Sequence, residues 1–148
     1  MLDIIFSKSP LGRLPAEVVG GRGGSVKKVV SFAARHEKKI RGTVEVTIVG
    51  EKKIKSLNAK YRGKNKVTDV LSFSWLEGGE MPGNFLGQIF ICYPQIVRQA
   101  KEYKILVEEE FARMLVHGLL HLVGYDHIKD KDAKKMFALQ EKIIKKHL

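Results

Sequence analysis

Cysteine is all but missing from this chain: Cys92 is the only one among 148 residues. No disulfide can form within it, and the expected compartment is a reducing one. Nor does any apolar run approach the roughly 18 residues that cross a bilayer. The opening Met1-Leu2-Asp3-Ile4-Ile5-Phe6 has neither a basic start nor a long apolar stretch, which speaks against a secretory signal. The expected location is the cytoplasm, without membrane attachment. Carboxylates are scarce as well: 16 Asp and Glu face 27 Lys and Arg, a net charge of +11. That excess suits polyanionic partners, nucleic acid first, although basic composition also occurs in proteins that bind none. Repeats and low-complexity tracts are missing too, so residues 1–148 are expected to form one domain.

What is present alternates between strand and helix patterns. Leu2 to Phe6 reads as a short strand, and Pro10, Pro15 and Gly20-Gly21-Arg22-Gly23-Gly24 mark a flexible basic connection. Val26, Val29, Val30 and Ala33 fall at helical spacing. Thr43 to Val49 alternates with period two and is β-branched, a strand. A short helix follows Gly50, with Ile54, Leu57 and Tyr61 expected inward. Val67 to Trp75 is a second strand, Glu77 to Asn84 a turn, and Phe85 to Cys92 the returning strand of a hairpin. Pro94 opens a helix reaching about Tyr103. Val107 to His121 is strongly helical, and Asp130 caps a last helix whose buried stripe is Ala133, Met136, Phe137, Ile143 and Ile144. This order predicts an α+β fold: one mixed sheet of about four strands covered by about five helices.

Three of the five histidines lie in one run, His117-Gly118-Leu119-Leu120-His121-Leu122-Val123-Gly124-Tyr125-Asp126-His127. On a helix His117 and His121 share a face, separated by about 6 Å of rise. Both imidazoles can then reach one metal at about 2.0–2.1 Å. Gly124 supplies a residue able to take positive φ, so the chain can reverse and bring His127 to a third position. Three neutral imidazoles suit Zn²⁺, one per chain, with Ni, Cu and Fe accepted by the same ligand type. Three protein ligands leave a position for water, the catalytic rather than the structural pattern. The spacing equals that of the metzincin proteases, but those carry Glu after the first His as general base, and Gly118 stands there. A metalloprotease is therefore the lesser reading. A plain core helix ending in a turn at Asp126 and His127 is another.

The same run resembles the signature of the YbeY family of bacterial rRNA maturation factors, which are metal-dependent endoribonucleases. Asn58, Arg62 and Thr68-Asp69-Val70-Leu71-Ser72-Phe73 look like that family's second block, and Leu86-Gly87-Gln88-Ile89 is similar to a third. The resemblance extends from about Val44 onward. It implies one zinc held by His117, His121 and His127 and a single-strand-preferring ribonuclease. It also implies a role in maturing the 3′ end of 16S rRNA and in ribosome quality control. Its partners would be rRNA and the ribosome or its small subunit. Arg62 and His117 match positions that matter for the family's activity. The third block commonly reads Leu-Gly-Asp-Ile, and Gln88 here replaces the acid.

On this reading the metal would lower the pKa of a bound water to about 7 and polarise a phosphoryl oxygen. Arg62 would stabilise negative charge on the non-bridging oxygens bidentately; without the resemblance it reads rather as a solvated arginine at a helix end. Asp69, beside Thr68, either orients a ligand or water or caps its own loop; both could touch substrate. Asp126 is a neighbour of the ligands or a rival to His127 as the third. Tyr125 and Phe73 either stack on unpaired bases or pack in the core. Two nucleophiles fit, a metal hydroxide and an activated ribose 2′-hydroxyl. A separate class, a non-catalytic RNA-binding assembly factor with structural zinc, needs a fourth ligand. The expected oligomeric state is a monomer.

Overall fold

The computed structural model describes residues 2–6, 25–74, 85–126 and 128–147. The Pro10 to Gly24 connection, Trp75, the turn from Glu77 to Asn84, and His127 lie outside them. The elements run β1 (Leu2–Phe6), α1 (Ser25–His36), β2 (Gly42–Val49), α2 (Glu51–Arg62) and β3 (Val70–Ser74). They continue with β4 (Phe85–Cys92), α3 (Tyr93–Tyr103), α4 (Val107–Leu122) and α5 (Asp130–His147). The sheet order is β1-β2-β4-β3. β1 and β4 lie parallel to β2, and β3 pairs antiparallel to β4, as the hairpin expectation required. Among the described residues, one mixed sheet of four strands with five helices is the α+β architecture expected.

Alternation sets the two faces of the sheet. Val44, Val46 and Ile48 of β2 and Ile89 and Ile91 of β4 are buried in the main core with α1, α4 and α5. Val49, Leu71 and Cys92 point the other way, into a smaller cluster with Ile54 of α2. Each fully buried aliphatic chain contributes about 1.5–3 kcal/mol, so the larger layer dominates stability.

α4 is the central element. Phe111, Ala112, Leu115, Val116, Leu119, Leu120 and Leu122 are all buried. A helix buried around most of its circumference packs on several neighbours at once; here they are β3, β4, α1, α3 and α5. Two glycines permit this. A Cβ at Gly118 would meet Ser72 Oγ at 3.0 Å and Ile89 side-chain carbons at 3.1 and 3.2 Å. A Cβ at Gly87 would lie 2.4 Å from the Phe73 carbonyl oxygen and 2.8 Å from Leu122.

Some expectations shift. The strand predicted from Val67 begins only at Val70. Asp69 turns its carboxylate onto the Val70 amide, 2.7 Å away, and so caps the chain where the strand starts. Tyr61 is 51% exposed rather than inward, and Phe137 is 44% exposed rather than buried. On α5 the buried positions are Met136, Gln140, Ile143 and Ile144, so a glutamine holds the place given to an aromatic.

Candidate metal centre

The histidines sit where α4 leaves the core. His117 and His121 occupy its one polar stripe, both half-buried, one turn apart. Their ring centroids are 4.6 Å apart with planes at 79°, and the two Nε2 atoms face each other at 3.1 Å. Two nitrogens bound to one tetrahedral ion lie about 3.3 Å apart. The pair therefore fits two adjacent positions of a single zinc. The helix ends as the sequence implied: Tyr125 N donates to Leu120 O at 3.0 Å and Gly124 N to His121 O at 3.1 Å, with Gly124 at φ 102°. Among the described residues no group of three metal-ligating side chains comes together. The expected third ligand, His127, lies outside those residues.

The ring of His117 is held on both sides. Its Nδ1 is 2.7 Å from Gln140 Oε1, and Phe137 stacks against it at 5.8 Å. Phe137 was expected in the core, and Gln140 was not singled out from sequence. The available signal was the spacing of Met136, Gln140, Ile143 and Ile144, which places Gln140 on the apolar stripe of α5.

A cleft of about 600 Å³ opens in front of the two imidazoles, lined also by Arg62, Thr68, Asp69, Ser72 and Asp126. Lys64 and Lys66 line it too, so three cations face two carboxylates there. Arg62 is the last residue of α2, where Gly63 in the left-handed region (φ 69°) reverses the chain. Its Nη2 donates to Ser72 O at 2.7 Å, and its guanidinium lies 4.8 Å from the Phe73 ring centre. Phe73 is braced edge-on by Tyr61 and Phe90, at 5.3 and 5.8 Å. The loop after Arg62 is tied down by buried Asn58, whose Nδ2 donates to Lys66 O at 3.0 Å.

Other predicted residues have structural employment. Asp69 Oδ1 accepts from Val70 N at 2.7 Å and from Thr68 Oγ1 at 3.4 Å, the loop-cap alternative. Asp126 Oδ1 accepts from Ile128 N at 3.1 Å, forming an Asx turn at the cleft wall. Tyr125 packs on the main core and donates its hydroxyl to Glu37 Oε2 at 2.7 Å. That hydrogen bond holds the Glu37 carboxyl below its ordinary range and raises the Tyr125 phenol. Phe73 sits in the smaller cluster. Ser72 donates Oγ to Gly118 O at 3.2 Å and Ser74 to Leu122 O at 3.3 Å, so both hydroxyls bond the backbone of α4. Gln88 pairs between Glu45 of β2 and Phe73 of β3. Alternation puts it on the face opposite Ile89, away from the histidines.

Glu110 and Arg113, on the same stripe as the histidines, carry a cluster of charges. Glu110 is 1% exposed and accepts from Arg113 Nη1 at 3.2 Å and from Gln99 Nε2 at 2.7 Å. Bonds to Glu141, Glu110 and Glu109 outweigh burial and push the Arg113 pKa upward.

Residues 23–147 match the family model described as Endoribonuclease YbeY. The Endoribonuclease YbeY of Thermodesulfovibrio yellowstonii is 44% identical over 130 residues, 80% of this chain and 82% of that protein. The Bacillus licheniformis protein of the same name is 38% identical over 146 residues, covering 92% and 89%. A solution structure of a Thermotoga maritima protein superposes with a TM-score of 0.57 at 30% identity, covering 98% of this chain and 87% of that one. A match over 125 residues (147 − 23 + 1) that contains both imidazoles, Arg62 and the Thr68–Phe73 block has one meaning: the chain belongs to the YbeY family.

Proposed function

We propose that this chain is a zinc-dependent, single-strand-preferring endoribonuclease acting in 16S rRNA 3′-end maturation and ribosome quality control in the cytoplasm. One observation carries the reading: in a member of an endoribonuclease family, two Nε2 atoms converge at 3.1 Å in a cleft walled by Arg62. His117, His121 and His127 would hold the ion. When bound, it supplies Lewis acidity and a water whose pKa falls to about 7. The chain's own residues do the rest. Arg62, Lys64 and Lys66 attract the phosphate backbone into the cleft. Arg62, anchored by Ser72 O and Phe73, presents its remaining N–H groups without a large loss of side-chain entropy. The half-buried setting of both histidines limits water around the reacting phosphate and strengthens that charge interaction.

Gly118 argues against peptidase chemistry by its position as well as its identity. A Cβ there would press on Ser72 Oγ and on the buried Ile89 side chain, so a base at that position has no room.

The test is zinc content and cleavage of single-stranded RNA, wild type against His121→Ala. The expected result is about one zinc per wild-type chain, cleavage lost on chelation, and both lost in the variant while the fold persists. Unfolding on zinc removal would instead indicate a structural ion in an assembly factor.

A further inference from the structure

We propose that Gln140 is a positioning residue for His117, holding the imidazole in the tautomer whose bare nitrogen points at His121. This rests on the reading of His117 as a metal ligand. Gln140 is 2% exposed and comes from α5, so it is no neighbour of the histidines in sequence. Burying a carboxamide costs free energy unless its groups are paired, and both ends are. Its Nε2 donates to Glu141 Oε2 at 3.1 Å, which fixes which end of the amide is which. The carbonyl is left for His117 Nδ1 at 2.7 Å. A carbonyl oxygen only accepts, so Nδ1 carries the proton and Nε2 of the neutral ring keeps its lone pair. That lone pair lies on the side facing His121 Nε2.

The amide is anchored in turn. Glu141 Oε2 also accepts from Arg113 Nε at 2.9 Å, and Arg113 is gripped by Glu109 and by buried Glu110, each at 3.2 Å. Gln99 closes the far end on Glu110 at 2.7 Å. A chain of charge-assisted bonds thus runs from α3 through α4 to α5 and ends on the ring that faces His121. It accounts for the two polar residues, Glu110 and Gln140, buried beside the main apolar core. The glutamine supplies what a carbonyl or carboxylate partner supplies to a ligating histidine: a fixed tautomer and a fixed ring angle.

The experiment uses the full chain with ¹⁵N-labelled histidine. In metal-free wild type, at a pH where the rings are neutral, long-range ¹H–¹⁵N spectra are expected to show His117 protonated on Nδ1. Protonation on Nε2 would overturn the proposal without any variant. Gln140→Met keeps length and loses the acceptor; it is expected to mix the tautomers. Zinc affinity, measured by competition with a chromophoric chelator, should then fall roughly 10–100-fold. The pair Gln140→Glu with Glu141→Gln reverses the order of donor and acceptor and is expected to recover most of that loss. Unchanged affinity and tautomer in Gln140→Met, with a normal thermal melt, would refute the positioning role. If wild type binds no zinc, the metal reading fails, and the tautomer measured in the metal-free protein still decides what Gln140 does.

Discussion

Placing a glutamate at position 118 would complete the His-Glu-x-x-His pattern of zinc peptidases, and the fold states what should follow. A Cβ at Gly118 already meets Ser72 Oγ at 3.0 Å and Ile89 at 3.1 and 3.2 Å, inside the ~3.5–4.0 Å of ordinary carbon contact. Ser72 can rotate at the cost of its bond to Gly118 O, but Ile89 is fully buried and cannot give way easily. Gly118→Ala therefore carries an overpacking cost of ~1–3 kcal/mol, offset by ~1 kcal/mol of helix propensity. The net loss is ~0–2 kcal/mol, a Tm drop of up to ~8 °C at 2–4 °C per kcal/mol. Gly118→Glu adds a carboxylate driven against the sheet, which costs several kcal/mol more. That is a large part of the ~5–15 kcal/mol stability of a domain. Thermal melts by circular dichroism should show a small drop for Ala and a drop above ~10 °C, or insolubility, for Glu. Neither variant should hydrolyse casein. A Gly118→Glu protein that melts like wild type and cleaves casein would refute both the packing argument and the dismissal of peptidase chemistry.

Arg62→Ala should lower RNA cleavage roughly 10²–10³-fold with little change in Tm, since the side chain is exposed. Arg62→Lys should not restore it, because a point charge lacks the guanidinium fork; cleavage at the wild-type rate by the Ala variant would remove Arg62 from the mechanism. The Tyr125–Glu37 bond predicts a pH window. Glu37 is depressed from 4.5, so its stabilisation is present at neutral pH and fades as pH falls below that value. Tyr125 is raised from 10.0, so its share is present below that pH and is lost as pH rises above it. Tyr125→Phe should cost about 0.5–1.5 kcal/mol between those limits, and denaturant titrations at pH 3, 7 and 11 would expose an equal cost throughout as a contradiction. Finally, binding of single-stranded RNA by a catalytically dead variant should weaken steeply with salt, with a log–log slope of about −0.7 per phosphate contacted; a flat response would make the net charge incidental.

Much of the fold was legible because its signals are local. The β-branched alternation of Thr43–Val49 and the apolar spacing through α4 each dictate one conformation, and both formed where expected. The i,i+4 histidines were legible for the same reason, as was the reversal at Gly124. Contacts made between distant segments were not. Spacing puts Gln140 on the apolar stripe of α5, but only docking against α4 brings its carbonyl to a ring 23 positions earlier. Phe137 was assigned to the buried stripe of α5, yet that stripe runs through its neighbour Met136, and the ring stacks on His117 instead. Gly118 and Gly87 read as a missing base and a block residue; their role as points of close helix–sheet approach exists only in three dimensions.

Ser72 has a consequence larger than its size. Its carbonyl receives Arg62 while its hydroxyl reaches the α4 carbonyl at Gly118, one residue from His117. A single residue of β3 thus serves as the ruler between the cation and the imidazoles. A slip of β3 by one place would turn Ser72 to the opposite face and part the two halves of the centre.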